Sequence, residues 1–268
     1  MDPAVCRDAH CVSLLTDFGN IDGYVGAVKG LLLSVNPRLT LVDLSHDIES
    51  HDVVQAAYVL GRHYRYFPRG TVHLAVVDPG VGGKRRGVVV ESADWLFVGP
   101  DNGIFSHIYD ELEAAIFAID EASLLPQQPS DLFHARDIFA PIAGRLTLGL
   151  PACEVGSPLD ECVSIPLSRP LTTARGIEGH VIHVDRFGNM VTDIPIDLVR
   201  SEIGETECVI EVADRKIEMI RRSYDCVEAG ELLAVFGSSG FLEISANMRN
   251  AAELLAAARG EPVVVTCR

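Results

Sequence analysis

Three apolar segments, residues 12–15, 39–44 and 72–77, alternate with two stretches of helical period, and this alternation limits the fold more than any other feature of the chain. Residues 24–35 place Val25, Val28, Leu32 and Val35 on one face and stop at Asn36-Pro37. A second helix, from about Asp52, puts Val53, Ala57, Leu60 and Tyr64 on one face and ends before Pro68. Strand–helix–strand–helix–strand order predicts an α/β unit with a parallel sheet and helices on its faces. Residues 87–91 and 95–98 are expected to form a hairpin, 115–119 another strand, and 137–146 a helix.

The pattern changes after residue 165. Residues 166–176 are rich in Pro and hydroxyls, lack periodicity and read as a linker. Short β-rich segments then follow at 180–184, 190–194, 208–212, 216–220, 232–236 and 242–245, with one helix at 250–259 and a last strand at 263–267. The expected organisation is an α/β N-terminal domain over 1–165, the linker 166–176, and a smaller, mostly antiparallel β domain over 177–268.

With 48% apolar residues among 268, the chain can bury a substantial core. Its formal net charge of −16 argues against nucleic acid, which needs a basic footprint. Seven scattered cysteines, an odd number with no Cys-x-x-Cys pair, suit a reducing compartment and neither a disulfide framework nor a zinc site. The polar first ten residues do not resemble a signal peptide, and no apolar run approaches a bilayer span. The expectation is a cytoplasmic protein with no membrane partner.

Chemistry-bearing residues collect in loops after strands. Asp17 and Asp78 both fall at strand ends, where an open parallel sheet binds its ligands. Such an acid can bind ribose hydroxyls, orient water or hold a cation; Asp17 could equally cap the helix that follows. In the run Asp78-Pro-Gly-Val-Gly-Gly-Lys-Arg85 a glycine-rich turn returns a guanidinium toward the acid, though a surface Asp–Arg pair is the plainer reading. Gly99-Pro100-Asp101-Asn102-Gly103 is a similar run. His134 precedes Arg136-Asp137, which could be catalytic or only an N-terminal capping arrangement. Residues 185–189 (Asp-Arg-Phe-Gly-Asn) have turn composition, and Gly237-Ser238-Ser239-Gly240 fits a hairpin turn or, without a following Lys, a weak phosphate cradle.

In this order, the motifs at 16–19, 78–85, 99–103, 134–137, 185–189 and 237–240 resemble the S-adenosyl-L-methionine hydrolase family, hydroxide adenosyltransferases related to the bacterial fluorinase and chlorinase. The likeness runs from Leu14 to about Asn247. It implies an enzyme without cofactor or metal, with a β-barrel-like C-terminal domain, and a homotrimer that binds ligand between the N-domain of one subunit and the C-domain of the next. By position, Asp78, Arg85 and His134 match the family's water-activating triad. Asp17 matches the acid on the ribose hydroxyls. Asp185 and Asn189 match residues at the methionine end, Phe187 lines the site between them, and Ser238 matches a serine near the methionine carboxylate. The halogenases have Arg where this chain has Ser239. Phe133 and His51 fall at wall positions.

The halogenases of this superfamily carry Tyr at the position of Asp78 and an inserted loop after it. A halide site must be free of opposing negative charge, so Asp78 and the short segment 86–94 imply water or hydroxide as the nucleophile. Three rival readings are a 5′-halogenase on this scaffold, a non-catalytic protein that binds adenosine or S-adenosylmethionine, and a metal-dependent hydrolase using Asp17, Asp78, His134 and Asp137.

Overall fold

Every residue of the strand Val72–Val76 is buried, as its unbroken apolar run requires of a strand covered on both faces. The computed structural model describes residues 10–124, 129–204 and 208–267. The chain divides into two compact units between Pro166 and Leu167.

The first unit contains β1 (Cys11–Thr16), α1 (Tyr24–Val35), β2 (Thr40–Ser45), α2 (Val53–His63), β3 (Val72–Val76), β4 (Gly87–Ser92) and β5 (Leu96–Pro100). Then come α3 (Ser106–Glu111), β6 (Ala114–Ile119), α4 (Glu121–Leu124), a π-helical turn at Ala135–Phe139, α5 (Ala140–Leu146) and β7 (Gly156–Pro158). The strand order is β2-β1-β3-β5-β4-β6-β7. The first four strands are parallel, while β4, β6 and β7 are added antiparallel, so the sheet is mixed. Alternate residues serve opposite faces. Leu14, Leu74 and Val76 pack with Val28, Leu32 and Ile142 of α1 and α5. Leu15, Ala75 and Val77 pack with Ala56, Leu60 and Ile108 of α2 and α3. Helix α1 has the predicted bounds, and the Asp52 carboxylate caps α2 by accepting from the Gln55 N–H.

His73, in the buried strand β3, is held neutral: its Nδ1 lies 2.6 Å from Ser13 Oγ, and burial among aromatic rings lowers its pKa from 6.5 to about 3. The unfolded chain therefore binds a proton that the folded chain refuses between those values. Stability should be full above pH ~6.5 and fall as the pH drops toward ~3. Urea unfolding at about pH 7.5 and about pH 5 checks this, with about 2 kcal/mol of the difference assigned to His73. That share should vanish in a Ser13→Ala/His73→Phe double variant.

The second unit comprises β8 (Leu171–Thr173), β9 (Gly176–Val184), β10 (Met190–Pro195), α6 (Ile196–Glu202), β11 (Cys208–Val212), β12 (Arg215–Glu218) and β13 (Ile220–Arg221), followed by β14 (Leu232–Phe236), β15 (Phe241–Ala246), α7 (Ala251–Leu255) and β16 (Pro262–Cys267). A sheet of nine strands curls in a barrel-like way until β12 touches β14. Its core includes Ile177, Ile194, Ile210, Leu242 and Val265. Three local expectations are corrected. The strand read over 216–220 breaks at Met219, whose φ of 60° separates β12 from β13. The helix read over 250–259 ends at Leu255, where Ala256 turns left-handed. Within 166–176, β8 pairs with β9 as an exposed edge strand.

The described cysteines 11, 153, 162, 208, 226 and 267 are all free, and Cys6 lies outside the described residues. Among the described residues no helix is long and apolar enough to cross a membrane.

Candidate active site

Thr16 and Val76, the last residues of β1 and β3, are register partners in the parallel sheet. The loops that carry Asp17 and Asp78 therefore leave from adjacent strand ends on one rim. Thr16 Oγ1 lies 2.8 Å from Nδ1 of the buried His46, and the His46 carbonyl accepts the Gly19 N–H at 2.8 Å, which ties the Asp17 loop to the segment after β2. Asp17 does not cap α1, whose N-cap position is Gly23 without a side-chain bond. Its Oδ2 instead accepts the backbone N–H of His51, a residue held at φ 69°. Among the described residues Oδ1 takes no hydrogen bond.

Asp78 and Arg85 form a nearly enclosed pair. Arg85 Nε donates to Oδ1 and Oδ2 at 3.0 Å each, and its Nη2 donates to Oδ2 as well. Side-chain exposures of 6% and 10% separate this pair from a solvated surface bridge. Arg85 Nη2 also reaches His134 Nδ1 at 2.7 Å, and its guanidinium lies 5.2 Å from the centre of the Phe139 ring. Gly82 brings the two loops together. It has a φ of +74°, and a Cβ there would meet the Asp131 carbonyl oxygen at 2.5 Å.

His134 precedes the π-helical turn and caps nothing with its side chain. Burial, and then the Arg85 charge, lower its pKa below the ordinary histidine value. Arg136 turns away to pair with Asp137 at 2.5 and 2.8 Å and to lie over Phe133, while Asp137 also accepts the Ser130 N–H. Neither side chain caps the turn: Asp137 sits within its first turn and holds the N–H of Ser130 in the preceding loop.

A cavity of about 330 Å³ opens here, lined by Asp17, His51, Asp78, Phe133 and His134 among others. Phe18, Tyr24 and Phe133 form an edge-to-face triangle on its wall, with centroids 5.3 to 6.1 Å apart. Phe18 and Tyr24 were not singled out from sequence. Their signal was weak, since each reads as an ordinary apolar residue beside a turn. Among the described residues no group of three or more His, Cys, Asp or Glu side chains is arranged to hold a metal ion.

The second unit has its own cavity, about 990 Å³, lined by Asp185, Phe187, Asn189, Ser238, Tyr224 and Glu243 among others. Residues 185–189 form the turn their composition suggested. Asp185 Oδ1 accepts the N–H groups of Phe187 and Asn189 at 2.8 and 2.9 Å, and Oδ2 accepts Asn189 Nδ2 at 2.9 Å. Phe187 is 76% exposed. Gly237–Gly240 is the hairpin turn between β14 and β15, with Gly240 N–H bonded to the Gly237 carbonyl. Ser239 Oγ is buried without a hydrogen-bond partner among the described residues. Glu243 escaped the sequence reading because it sits in a regular strand between Leu242 and Ile244. Burial and then the charge of Asp185 raise its pKa.

The sequence profile of the S-adenosyl-L-methionine (SAM) hydroxide adenosyltransferase N-terminal domain matches residues 12–156, and that of the C-terminal domain matches residues 179–264. The chain belongs to this family. A SAM hydroxide adenosyltransferase relative, the (R)-S-adenosyl-L-methionine hydrolase of Thermus thermophilus, is 38% identical over 94% of this chain and 98% of its own length. The fluorinase of an Actinoplanes species is more distant, at 26% identity over 91% of this chain and 92% of its own. A solved structure, of an uncharacterised conserved protein from Thermotoga maritima, superposes with a TM-score of 0.88 at 34% identity and covers 96% of this family member and 100% of the solved chain.

Proposed function

We propose that this protein is an enzyme that hydrolyses S-adenosyl-L-methionine to adenosine and L-methionine by in-line attack of water or hydroxide at C5′. One observation carries the reading: the Asp78 carboxylate, held by Arg85, lines the first unit's cavity. A halide would meet a negative charge there, whereas water finds an acceptor. The names of relatives that cover nearly the whole chain support the same reaction. Their R configuration at sulfur is extended here to the preferred substrate.

In the proposed step the water oxygen bonds to C5′ as the C5′–S bond breaks, and its electron pair returns to sulfur to leave a neutral thioether. Alignment of oxygen, carbon and sulfur carries most of the rate, and such positioning can contribute roughly 7–11 kcal/mol. Asp78 accepts a proton of the attacking water, and Arg85 fixes its orientation. The contact with Arg85 argues against a base role for His134. An Arg N–H can only donate, so His134 Nδ1 is the acceptor and the neutral ring carries its proton on Nε2. Nε2–H can orient the water but not deprotonate it. Asp17, whose Oδ1 has no donor among the described residues, binds the ribose hydroxyls, and Phe133 packs beside the nucleoside. Asp185 and Glu243 are assigned the substrate ammonium and Ser238 its carboxylate, with Asn189 and Phe187 beside them in the same cavity.

No cofactor or metal enters this scheme, so chelation should leave the rate unchanged. A homotrimer in the cytoplasm is part of the proposal; light scattering of the purified chain tests the assembly. The chemistry is tested by incubating each sulfonium epimer in oxygen-18 water and weighing the products. Label in adenosine supports attack at C5′ by water. A 5′-halo-adenosine formed with chloride or fluoride would instead favour the halogenase.

A pH dependence follows from His134. Its neutral form, needed to accept from Arg85, persists above a pKa that lies below 6.5. Protonation sets donor against donor. Turnover should therefore be flat through neutrality and fall on the acid side only below about pH 6.5, and a His134→Asn variant should lose that acid limb. An acid limb centred above 6.5 would contradict the assignment.

A further inference from the structure

The turn Gly99-Pro100-Asp101-Asn102-Gly103 lies outside the cavity lining, yet it grips both ends of the loop that carries Asp78 and Arg85. At the exit from β3, Asn102 Nδ2 donates to the Val77 carbonyl at 2.8 Å. That carbonyl belongs to the peptide plane joining Val77 to Asp78, so fixing it fixes the Cα from which the Asp78 side chain leaves. At the re-entry into β4, the Asp101 N–H donates to the Arg86 carbonyl at 2.9 Å, and Asp101 Oδ2 accepts Arg86 Nε and Nη2 at 3.0 and 2.6 Å. The adjacent arginines are thereby sorted: Arg86 is held by Asp101, while Arg85 is left to Asp78 and His134.

The turn is itself well anchored. The Asp101 side chain is 2% exposed, and its Oδ1 accepts the Val163 N–H at 2.8 Å. Gly103 has a φ of +100°, and a Cβ there would meet Ile165 Cγ2 at 2.6 Å, so residues 163–165 back the turn from outside. A turn needed only to reverse the chain would be served by the local bond from the Ile104 N–H to Asn102 Oδ1. The reach of Asn102 across 25 residues to the Val77 carbonyl goes beyond that need.

We propose that Asp101 and Asn102 are positioning residues for the reaction, holding the Asp78–Arg85 loop at both ends so that carboxylate and guanidinium stay aligned on the attacking water. The inference rests on the hydrolase reading above. Misplacement of catalytic groups by about an ångström can cost on the order of 100-fold in rate. Because neither residue touches the cavity, the loss should appear in turnover and spare binding.

The test compares Asn102→Ala and Asn102→Asp, the latter keeping the shape without the donor, in the full-length protein. Adenosine release from S-adenosylmethionine is measured at folded fractions matched by circular dichroism. The expected result is a kcat at least about ten-fold lower with KM within about three-fold of the parent. Asp101→Asn, which keeps an oxygen for the Val163 N–H, reads the other end of the loop in the same assay and stands in if the Asn102 variants do not fold. Unchanged kcat, or a KM that rises as far as kcat falls, overturns the proposal. If the parent protein itself releases no adenosine, it is the hydrolase reading that fails.

Discussion

Replacing Arg85 by Ala should lower kcat by about 10²–10³-fold while KM changes only a few-fold. The reason is the position of the guanidinium. It bonds both oxygens of Asp78 and the Nδ1 of His134, so one substitution removes the link among all three groups proposed to hold the water. It contributes nothing to the aromatic wall or to Asp17, where the nucleoside would bind. A second effect follows from burial. Asp78 has a side-chain exposure of 6%, and a buried charge stripped of its partner typically costs about 3–5 kcal/mol. The Ala variant should therefore also melt at a lower temperature. Arg85→Lys separates these effects. It restores a positive charge near Asp78 and should recover much of the stability, but an ammonium cannot serve two carboxylate oxygens and an imidazole in one plane, so little turnover should return. Recovery of full kcat by Lys would mean that charge alone matters and that the fork has no role.

The strands and first helices were legible because their signals are local. Helix α1 combines a 3.6-residue apolar period with a stop at Asn36-Pro37, and α2 starts on an Asp that caps it. The chain after Pro166 was harder. Helix α6 has seven residues, too few for a period, and only Pro195 at its N-cap with Asp197 in its first turn hinted at it. The break at Met219 has no sequence signature, since Met carries no preference for positive φ. Ala256, which ends α7 early, is the same case: an Ala in a helical run predicts continuation.

The site divides along similar lines. Asp17 and Asp78 could be placed on one rim because strand ends are predictable, and β1 and β3 are indeed adjacent. What spacing could not convey was which groups bond to which. Arg85 and Arg86 are indistinguishable in sequence, yet one faces Asp78 and the other Asp101. Arg136 and Asp137, which follow His134 and could have been a capping arrangement, pair with each other. These choices follow from side-chain direction at strand ends and from bonds between residues far apart in the chain. Glu243 is a related case, as a strand Glu gains meaning only when Asp185 is found beside the same cavity.

Asp17→Ala should do the opposite of Arg85→Ala: KM rises by about 10- to 100-fold and turnover of bound substrate stays within about three-fold. Hydrogen bonds donated to an ionised acceptor contribute about 1.5–3 kcal/mol each, which sets that range. A plain loss of affinity would not by itself identify the ribose as the ligand group, because Asp17 has a second duty. Its Oδ2 holds the backbone N–H of His51 at φ 69°, and His51 also lines the cavity. Loss of that bond could loosen the wall and weaken every ligand alike. The two duties separate when product inhibition by adenosine is compared with inhibition by 2′,3′-dideoxyadenosine. The parent protein should prefer adenosine strongly, since the dideoxy compound offers no hydroxyl to the Asp17 carboxylate. In Asp17→Ala the preference should collapse, because the variant has no group left to distinguish them. Asp17→Asn, which keeps an acceptor for the His51 N–H, should fall between. If the Ala variant weakens both inhibitors by the same factor, Asp17 is a scaffold for the His51 loop, and the hydroxyls must be bound elsewhere.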